Sequence, residues 1–423
     1  MTFILFTLFI FLCLIRVPIA FSLALSSFII LYLQDFNMIT LVEKIFFGIN
    51  STSLMAIPGF VLTGVLMLKG GISRYILECL RAWMGHLSGG MAIVTILTCM
   101  VFAAISGSSV ATVLAIGTIM IPGMIESGYG KRYSMGLVAT SGTLGSLIPP
   151  SIGLIVYGTI TKTSVGDLFI ASVVPGLLFA LSLLIVSIIY AKKNNYGKLN
   201  IASWKTRIKS TKKAIWGLIL PLIIFYSIYG GIATPTETSV IAAVYAFIVG
   251  AFIYKELKLK DIQAIFKELV HTTSMVYLII AAASVFSMYL TLNQIPQNIS
   301  MWIADQNIGS LGLLLLISLL LLILGIFLDA ISVILITIPI FLPILQTMEI
   351  NLYHFAIIMA INLEIGMITP PVGLNLFAVS GITKEPLGEV VKSVIPFIVI
   401  MLIVLLVVIL FPQLSLWLIP DRV

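Results

Sequence analysis

The chain has 423 residues, 60% of them hydrophobic and 9% charged, with 23 Lys and Arg against 16 Asp and Glu for a net charge of +7. Soluble domains carry about 25% charged residues, so an ordinary water-soluble protein is excluded, and positive charge confined to the segments between apolar runs points to membrane topology rather than nucleic acid. Cys13, Cys79 and Cys99 are scattered without ligand spacing, which leaves no disulfide framework and no cysteine metal site.

Apolar runs near the ~20 residues that a spanning helix needs recur along the chain, and no alternating pattern suggests a barrel. The spacing predicts two helices, Thr2 to Ile15 and Val17 to Leu33, divided by Arg16 and Pro18. The first is as short as a signal-peptide core but has no basic leader, and is read as a retained span. A third span is expected at Leu54 to Leu68. Lys69, Arg74 and Arg81 then alternate with Ile72, Ile76, Leu80 and Trp83, as in an amphipathic helix along the interface, with an ordinary cytoplasmic loop as the alternative. From Gly89 to Glu126 a long apolar stretch is divided by Ser106, Gly107, Ser108 and Ser109, which predicts a hairpin entering and leaving on one side. Ser134 to Lys162 crosses with a break at Gly145 to Pro150, and Leu168 to Tyr190 returns.

Residues 192–213 hold eight Lys and Arg, Lys198 among them, and no acid. This segment, with the basic residues at 69–81 and Lys255, Lys258, Lys260 and Lys267, is placed in the cytoplasm. The second half runs through spans at Ile215 to Tyr229, Ser239 to Tyr254 and Ser274 to Leu292, then a loop at 293–310 without Lys or Arg, placed outside. A second hairpin, Leu311 to Leu345 with its tip at Gly325 to Ala330, a second broken helix, Phe355 to Gly381, and a last span, Val394 to Phe411, complete the chain. Counting crossings puts both termini on the outer side.

Five landmarks recur 221 positions apart: Pro122 and Pro343, Gly145 and Gly366, Pro149 and Pro370, Pro150 and Pro371, Pro175 and Pro396. Proline inside an apolar helix removes a donor and clashes with the preceding turn, so each Pro-Pro pair breaks its helix. Paired breaks in two halves of a membrane chain mark a transporter binding site between inverted repeats. The expected fold is all-α and polytopic, with two inverted repeats, re-entrant hairpins and broken helices. The expected units are residues 1–88, scaffold and interfacial arm; 89–191, first half of a transport domain; 192–213, basic linker; 214–310, scaffold and arm of the second repeat; and 311–423, second half of the transport domain.

A helix broken in mid-membrane offers unpaired carbonyls to a cation and unpaired N–H groups to a carboxylate. Ser106 to Ser109 opposite Gly145 to Pro149, and Gly325 opposite Gly366 to Thr369, therefore form two candidate cation sites; close packing of small residues is the competing explanation. Asp329 at the second tip and Glu364 inside an apolar segment are intramembrane carboxylates, hence candidates for ion or proton binding, or for pairing with a neighbouring helix. Asn362 is expected to face the same cavity. Glu237, in the sequence ATPTETS, is explained by helix capping at least as well as by binding. His86, His271 and His354 are isolated and no phosphate-binding loop occurs, so no enzymatic constellation or cofactor is expected.

The segments AISGSSVAT, LIPPSIGLIVYG, ASVVPGLL, ATPTETSVIAAVYA, GIFLDA and NLEIGMITPPVGLNLFAVSGI resemble the large membrane subunit of tripartite ATP-independent periplasmic (TRAP) transporters, over about Ile57 to Trp417. The resemblance implies an elevator-type transporter of the bacterial inner membrane that works with a small four-helix membrane subunit and a periplasmic substrate-binding protein, and imports an organic carboxylate with sodium. It places the first sodium site at Ser106, Gly145, Ile148 and Pro149, the second at Gly325, Gly366 and Thr369 with Val372 nearby, and Ser108, Ser109 and Asp329 beside the substrate. Ala104 departs from the commonest family text. Because the chain begins on the large-subunit pattern, the small subunit is expected as a separate chain. Sialic acid is set ahead of four-carbon dicarboxylates, and the alternative is a stand-alone sodium/carboxylate or anion symporter.

Overall fold

The computed structural model describes residues 1–194, 196, 199–306 and 308–419; Lys198 and the C-terminal residues 420–423 lie outside them. Without water to satisfy backbone groups in a bilayer, a spanning chain must close its hydrogen bonds within helices or barrels. Among the described residues, nine helices are long and apolar enough to cross a membrane, and the regular elements are all helical. The protein is an all-α polytopic membrane protein.

Helices α1 (Thr2–Leu14) and α2 (Ile19–Leu33) part at Arg16, whose backbone is left-handed (φ 68°), and at Pro18, the N-cap of α2. A helix missed in the sequence follows: α3 (Met38–Ile49), capped by the Asn37 side chain, which accepts from the Ile39 amide at 2.9 Å. It bends by 57° into the unit made of a 3-10 turn (Ser53–Met55) and α4 (Ala56–Lys69). The arm is α5 (Ile72–Met84), with Ile72, Ile76, Leu77 and Cys79 buried and Arg74 and Glu78 at its wet face. Helices α6 (Gly90–Ser106) and α7 (Ser109–Glu126) make the first hairpin. The first broken helix comprises α8 (Lys131–Gly142), α9 (Leu144–Leu147) and α10 (Ile152–Thr161), and α11 (Val165–Lys193) returns.

The basic connection is shorter than expected. Helix α12 (Trp204–Tyr229) begins inside it, capped by Ser203, so that Lys205, Arg207, Lys209, Lys212 and Lys213 ride on its first turns; Lys and Arg are good helix formers and let it extend beyond the apolar run. Helix α13 (Pro235–Ile248) opens with a capping box between Thr234 and Glu237, which makes Glu237 a cap, and continues into a π turn (Val249–Ile253). Lys260 and Lys267 sit on α14 (Leu259–Leu292), one unbroken helix of 34 residues, rather than in a loop. Residues expected as a loop at 293–310 include α15 (Ile295–Asp305), whose Ile295, Ile299 and Ile303 recur every fourth position and pack inward. Then come α16 (Ser310–Phe327) and α17 (Ala330–Thr347), the second hairpin; α18 (Leu352–Met367) and α19 (Leu374–Thr383), the second broken helix; α20 (Leu387–Leu410); and α21 (Gln413–Leu416).

At the offset of the paired prolines, α3 with α4 falls on α14, α5 on α15, and α6 to α11 on α16 to α20. Neighbours repeat with the halves exchanged: α4 packs on α13 as α14 does on α2, α8 on α20 as α18 does on α11, and α7 on α19 as α17 does on α10. Small residues permit these crossings, as is usual in membranes. A Cβ on Gly59 would lie 2.1 Å from the Ser239 hydroxyl oxygen of α13. One end of the α8–α20 pair is tied by Lys131 to Glu385 and by Arg132 to Glu389 at 2.5 Å.

Candidate functional site

The first tip is a two-residue reversal. Gly107 ends α6 with a left-handed backbone (φ 62°), and extended Ser108 caps α7, its Oγ accepting from the Ala111 amide at 3.4 Å. The tip rests on the first helix break. The Ile152 amide donates to the Gly107 carbonyl at 3.4 Å, and a Cβ on Gly107 would meet the Pro150 oxygen at 2.8 Å. Gly145 presses on the other side, where a Cβ would be 2.6 Å from the Ser108 carbonyl oxygen and 2.8 Å from the Thr112 hydroxyl. Thr112 is 3.3 Å from the Ser106 hydroxyl, so Ser106, Thr112 and Gly145 converge. Ile148 and Pro149 follow within the same break, both buried, with a cis bond between Pro149 and Pro150. Helices α6 and α9 end here, and the last carbonyls of a helix have no partner within it. The arrangement can offer oxygen ligands to a hard cation.

The second tip uses extended Leu328 and Asp329, whose carboxylate accepts from the Ser332 amide at 3.1 Å and from its hydroxyl at 2.5 Å. Asp329 is thus the cap of α17, the counterpart of Ser108. Gly325 and Gly366 cross backbone to backbone: a Cβ on Gly366 would lie 2.5 Å from the Gly325 carbonyl carbon. Thr369 closes the end of α18, its amide donating to the Gly366 carbonyl at 3.0 Å and its hydroxyl to Ile365 at 2.6 Å. Val372 is half-buried beside the cis Pro370–Pro371 bond. The first break is enclosed, whereas Pro370 and Pro371 are exposed.

Between the tips lies a cavity of about 160 Å³ whose wall includes Ser108, Ser109, Asp329 and Glu364. Glu364 is buried on α18, accepts a hydrogen bond from the Ser109 hydroxyl of the first tip, and has Ser146 of α9 against the same carboxylate. One side chain thereby joins the two halves. Three helix N-termini reach the wall through their caps, Ser108 of α7, Ser151 of α10 and Asp329 of α17; such termini favour negative charge.

Asn362 does not face this cavity, contrary to the sequence reading. Its Nδ2 donates to Ser318 Oγ of α16 at 3.2 Å and to the Ile358 carbonyl at 2.8 Å. Two residues along a helix turn the side chain by about 200°, so Asn362 and Glu364 occupy opposite faces. Thr112, Ser146, Ser151 and Tyr157 were missed. Thr112 stands one turn beyond Ser108, whose carbonyl its hydroxyl bonds at 2.8 Å, and that spacing was the available signal. Tyr157 fixes the wall, donating to the Leu352 carbonyl at 2.8 Å.

The model of the tripartite ATP-independent periplasmic transporter DctM component matches residues 6–414. The C4-dicarboxylate TRAP transporter large permease protein DctM of Pseudomonas aeruginosa is 44% identical over 396 residues, 93% of each chain. The sialic acid TRAP transporter large permease protein SiaM of Vibrio cholerae is 35% identical over 405 residues, 96% of this chain and 95% of the other. Among solved structures, the Alcanivorax borkumensis YdaH transporter superposes with a TM-score of 0.67 at 15% identity, covering 98% of this chain and 99% of its own, a likeness of fold. Matched in sequence over nearly its whole length, the chain belongs to the DctM family, the large permease component of the TRAP transporters.

Proposed function

We propose that this chain is the sodium-coupled permease of a tripartite importer in the inner membrane, and that its cargo is a small dicarboxylate. The observation that carries the reading is the convergence of three capped helix N-termini on one cavity flanked by two glycine-built backbone crossings. The N-termini of α7 and α10, capped by the neutral Ser108 and Ser151, receive the substrate carboxylates. Sodium binds at the first crossing through Ser106, Gly145, Ile148 and Pro149, with Thr112 added, and at the second through Gly325, Gly366, Thr369 and Val372. Coupling follows from charge. A dianion entering beside Glu364 and Asp329 meets like charges, each costing about 4 kcal/mol at 4 Å and an effective dielectric near 20. Two sodium ions at the crossings offset that repulsion, so substrate and ions load together.

The pseudo-twofold exchange of helix partners supports an inverted repeat, with residues 89–191 and 311–423 moving as a transport body against residues 1–88 and 214–310. The basic residues at 192–213 are placed in the cytoplasm. A small membrane subunit and a periplasmic binding protein complete the machine.

A four-carbon dicarboxylate is preferred to sialic acid. The relative named for C4-dicarboxylates is 44% identical and the one named for sialic acid 35%. A cavity of about 160 Å³ is also small beside the roughly 300–1,000 Å³ of pockets for drug-sized ligands. The test is uptake of labelled succinate and labelled sialic acid into proteoliposomes holding this chain and its small subunit, with and without an inward sodium gradient and the binding protein. Succinate uptake that needs both supports the reading. Uptake undiminished without the binding protein would favour a stand-alone symporter.

A further inference from the structure

A second cavity, about 700 Å³, opens between the two sets of helices. One side is formed by α3, the turn at 50–52 and α14; the other by α10 and α17. Lys44 and Lys162 are both on its wall, and among the described residues no Asp or Glu is. Neither lysine belongs to an ion pair among the described residues, and both are exposed. Asn50, Ser51, Thr159 and Ser287 add neutral polar groups. A cleft of one charge sign walled by apolar helices concentrates its counter-ions.

The two cations have firm supports. Lys162 follows the last turn of α10 in a left-handed conformation (φ 61°). Lys44 projects from α3, which is locked to α14 where Gly48 meets Ser284 so closely that a Cβ would be 1.9 Å from the hydroxyl oxygen. The adjoining turn is held to α13, Thr236 donating to the Thr52 carbonyl at 2.8 Å. Helices α10 and α17 also wall the first cavity, through Leu154, Tyr157 and Ile334, while Val156 and Leu335 of the same helices wall the second. The two spaces are one helix layer apart. In the topology proposed above, the turn at Lys162 lies across the membrane from the basic linker, on the side where a binding protein delivers cargo.

We propose that this cleft is an anion-collecting vestibule in which Lys44 and Lys162 hold the substrate carboxylates before they pass to the hairpin tips. The inference rests on the carboxylate reading and adds a first binding station to it. The lysines stand on different sets of helices, Lys44 with α14 and Lys162 with α10. Both line the one cleft in the arrangement described here, and they part when one set slides past the other, so the station releases its ligand as the transport body moves.

The experiment uses this chain with its small subunit in proteoliposomes, binding protein outside, an inward sodium gradient and labelled succinate. Lys44→Gln combined with Lys162→Gln raises the apparent KM about tenfold, the lower end of the enrichment that such clefts give, with the maximal rate held within about twofold and the sodium dependence unchanged. Lys44→Arg with Lys162→Arg restores the KM. Raising choline chloride from ~0.05 M to ~0.5 M weakens uptake by the unsubstituted protein and leaves the Gln pair almost unaffected, because screening removes what the substitution removed. An unchanged KM in the Gln pair overturns the vestibule while leaving the proposed function standing. A collapse of the maximal rate that the Arg pair fails to rescue also overturns it, assigning the lysines to structure. Absence of sodium-driven succinate uptake by the unsubstituted protein overturns the carboxylate reading itself, and the vestibule's ligand with it.

Discussion

On the proposed sodium reading, replacing Gly366 with alanine weakens ion binding at the second backbone crossing far more than the same change at its partner Gly325. The Cβ added at 366 would lie 2.5, 2.6 and 2.7 Å from the carbonyl carbon, oxygen and Cα of Gly325, all backbone atoms that no rotamer change can move. Restoring an ordinary carbon contact of ~3.5 Å requires α16 and α18 to part by about 1 Å. Overpacking of this kind costs about 1–3 kcal/mol. At 1.4 kcal/mol per tenfold, apparent sodium affinity falls by about 5- to 150-fold if the cost is borne by the ion-loaded state. A Cβ at Gly325 would meet the Gly366 Cα at 3.3 Å, a misfit of a few tenths of an ångström, and the expected loss is under about fivefold. Alanine also favours a helix over glycine by about 1 kcal/mol, an opposite effect that masks the damage in a melting curve. The assay is therefore the sodium concentration giving half-maximal uptake. Equal values for the two variants, or an unchanged value for Gly366→Ala, refute the backbone crossing as a sodium ligand set.

Ser109→Ala removes the hairpin partner of buried Glu364, and a hydrogen bond to a charged group is worth about 1.5–3 kcal/mol; Tm falls and uptake drops about tenfold, Ser109→Thr restoring both. Glu364→Gln keeps a group that can bond Ser109 and removes the charge, so it retains Tm better than Ser109→Ala while altering the sodium dependence of uptake. Asn362→Ala loses its bonds to Ser318 and Ile358, costs about 1 kcal/mol in thermal unfolding and leaves the succinate KM unchanged; a raised KM would return Asn362 to the substrate cavity. Lys131→Met with Arg132→Met removes two half-exposed ion pairs between α8 and the start of α20; each is worth at most about 1 kcal/mol, and the difference in Tm from the unsubstituted protein vanishes in high salt.

Both hairpin tips and both breaks could be read from the chain because Gly107, Gly145, Gly366 and the Pro-Pro pairs do what apolar residues cannot: reverse the backbone, admit another backbone or end a hydrogen-bond ladder. Helix α3 escaped notice because Glu43 and Lys44 interrupt its apolar run, and α15 because a segment without Lys or Arg between two spans resembles a connection. Asn362 could have been placed by its angle to Glu364 around α18. The join of Glu364 to Ser109 could not have been placed so, since 255 residues separate them and only the exchange of helices between halves brings them together.

Where the two halves differ is as informative as where they agree. Gly145 and Gly366, and the paired prolines, are kept at the common offset, and they shape backbone. The residues on the cavity wall are not kept: Glu364 stands where the first half has Thr143, Asp329 where it has Ser108, and Ser151 and Tyr157 where the second has Val372 and Ala378. Under the proposed alternating-access mechanism the halves exchange environments, and the first break is enclosed while the second is exposed. A substrate has no such symmetry, so the groups that meet it must break the match. On the proposed reading, the repeated backbone supplies the movement and the sodium crossings, while the single Glu364, held by a serine from the opposite half, makes substrate binding depend on how those halves are joined.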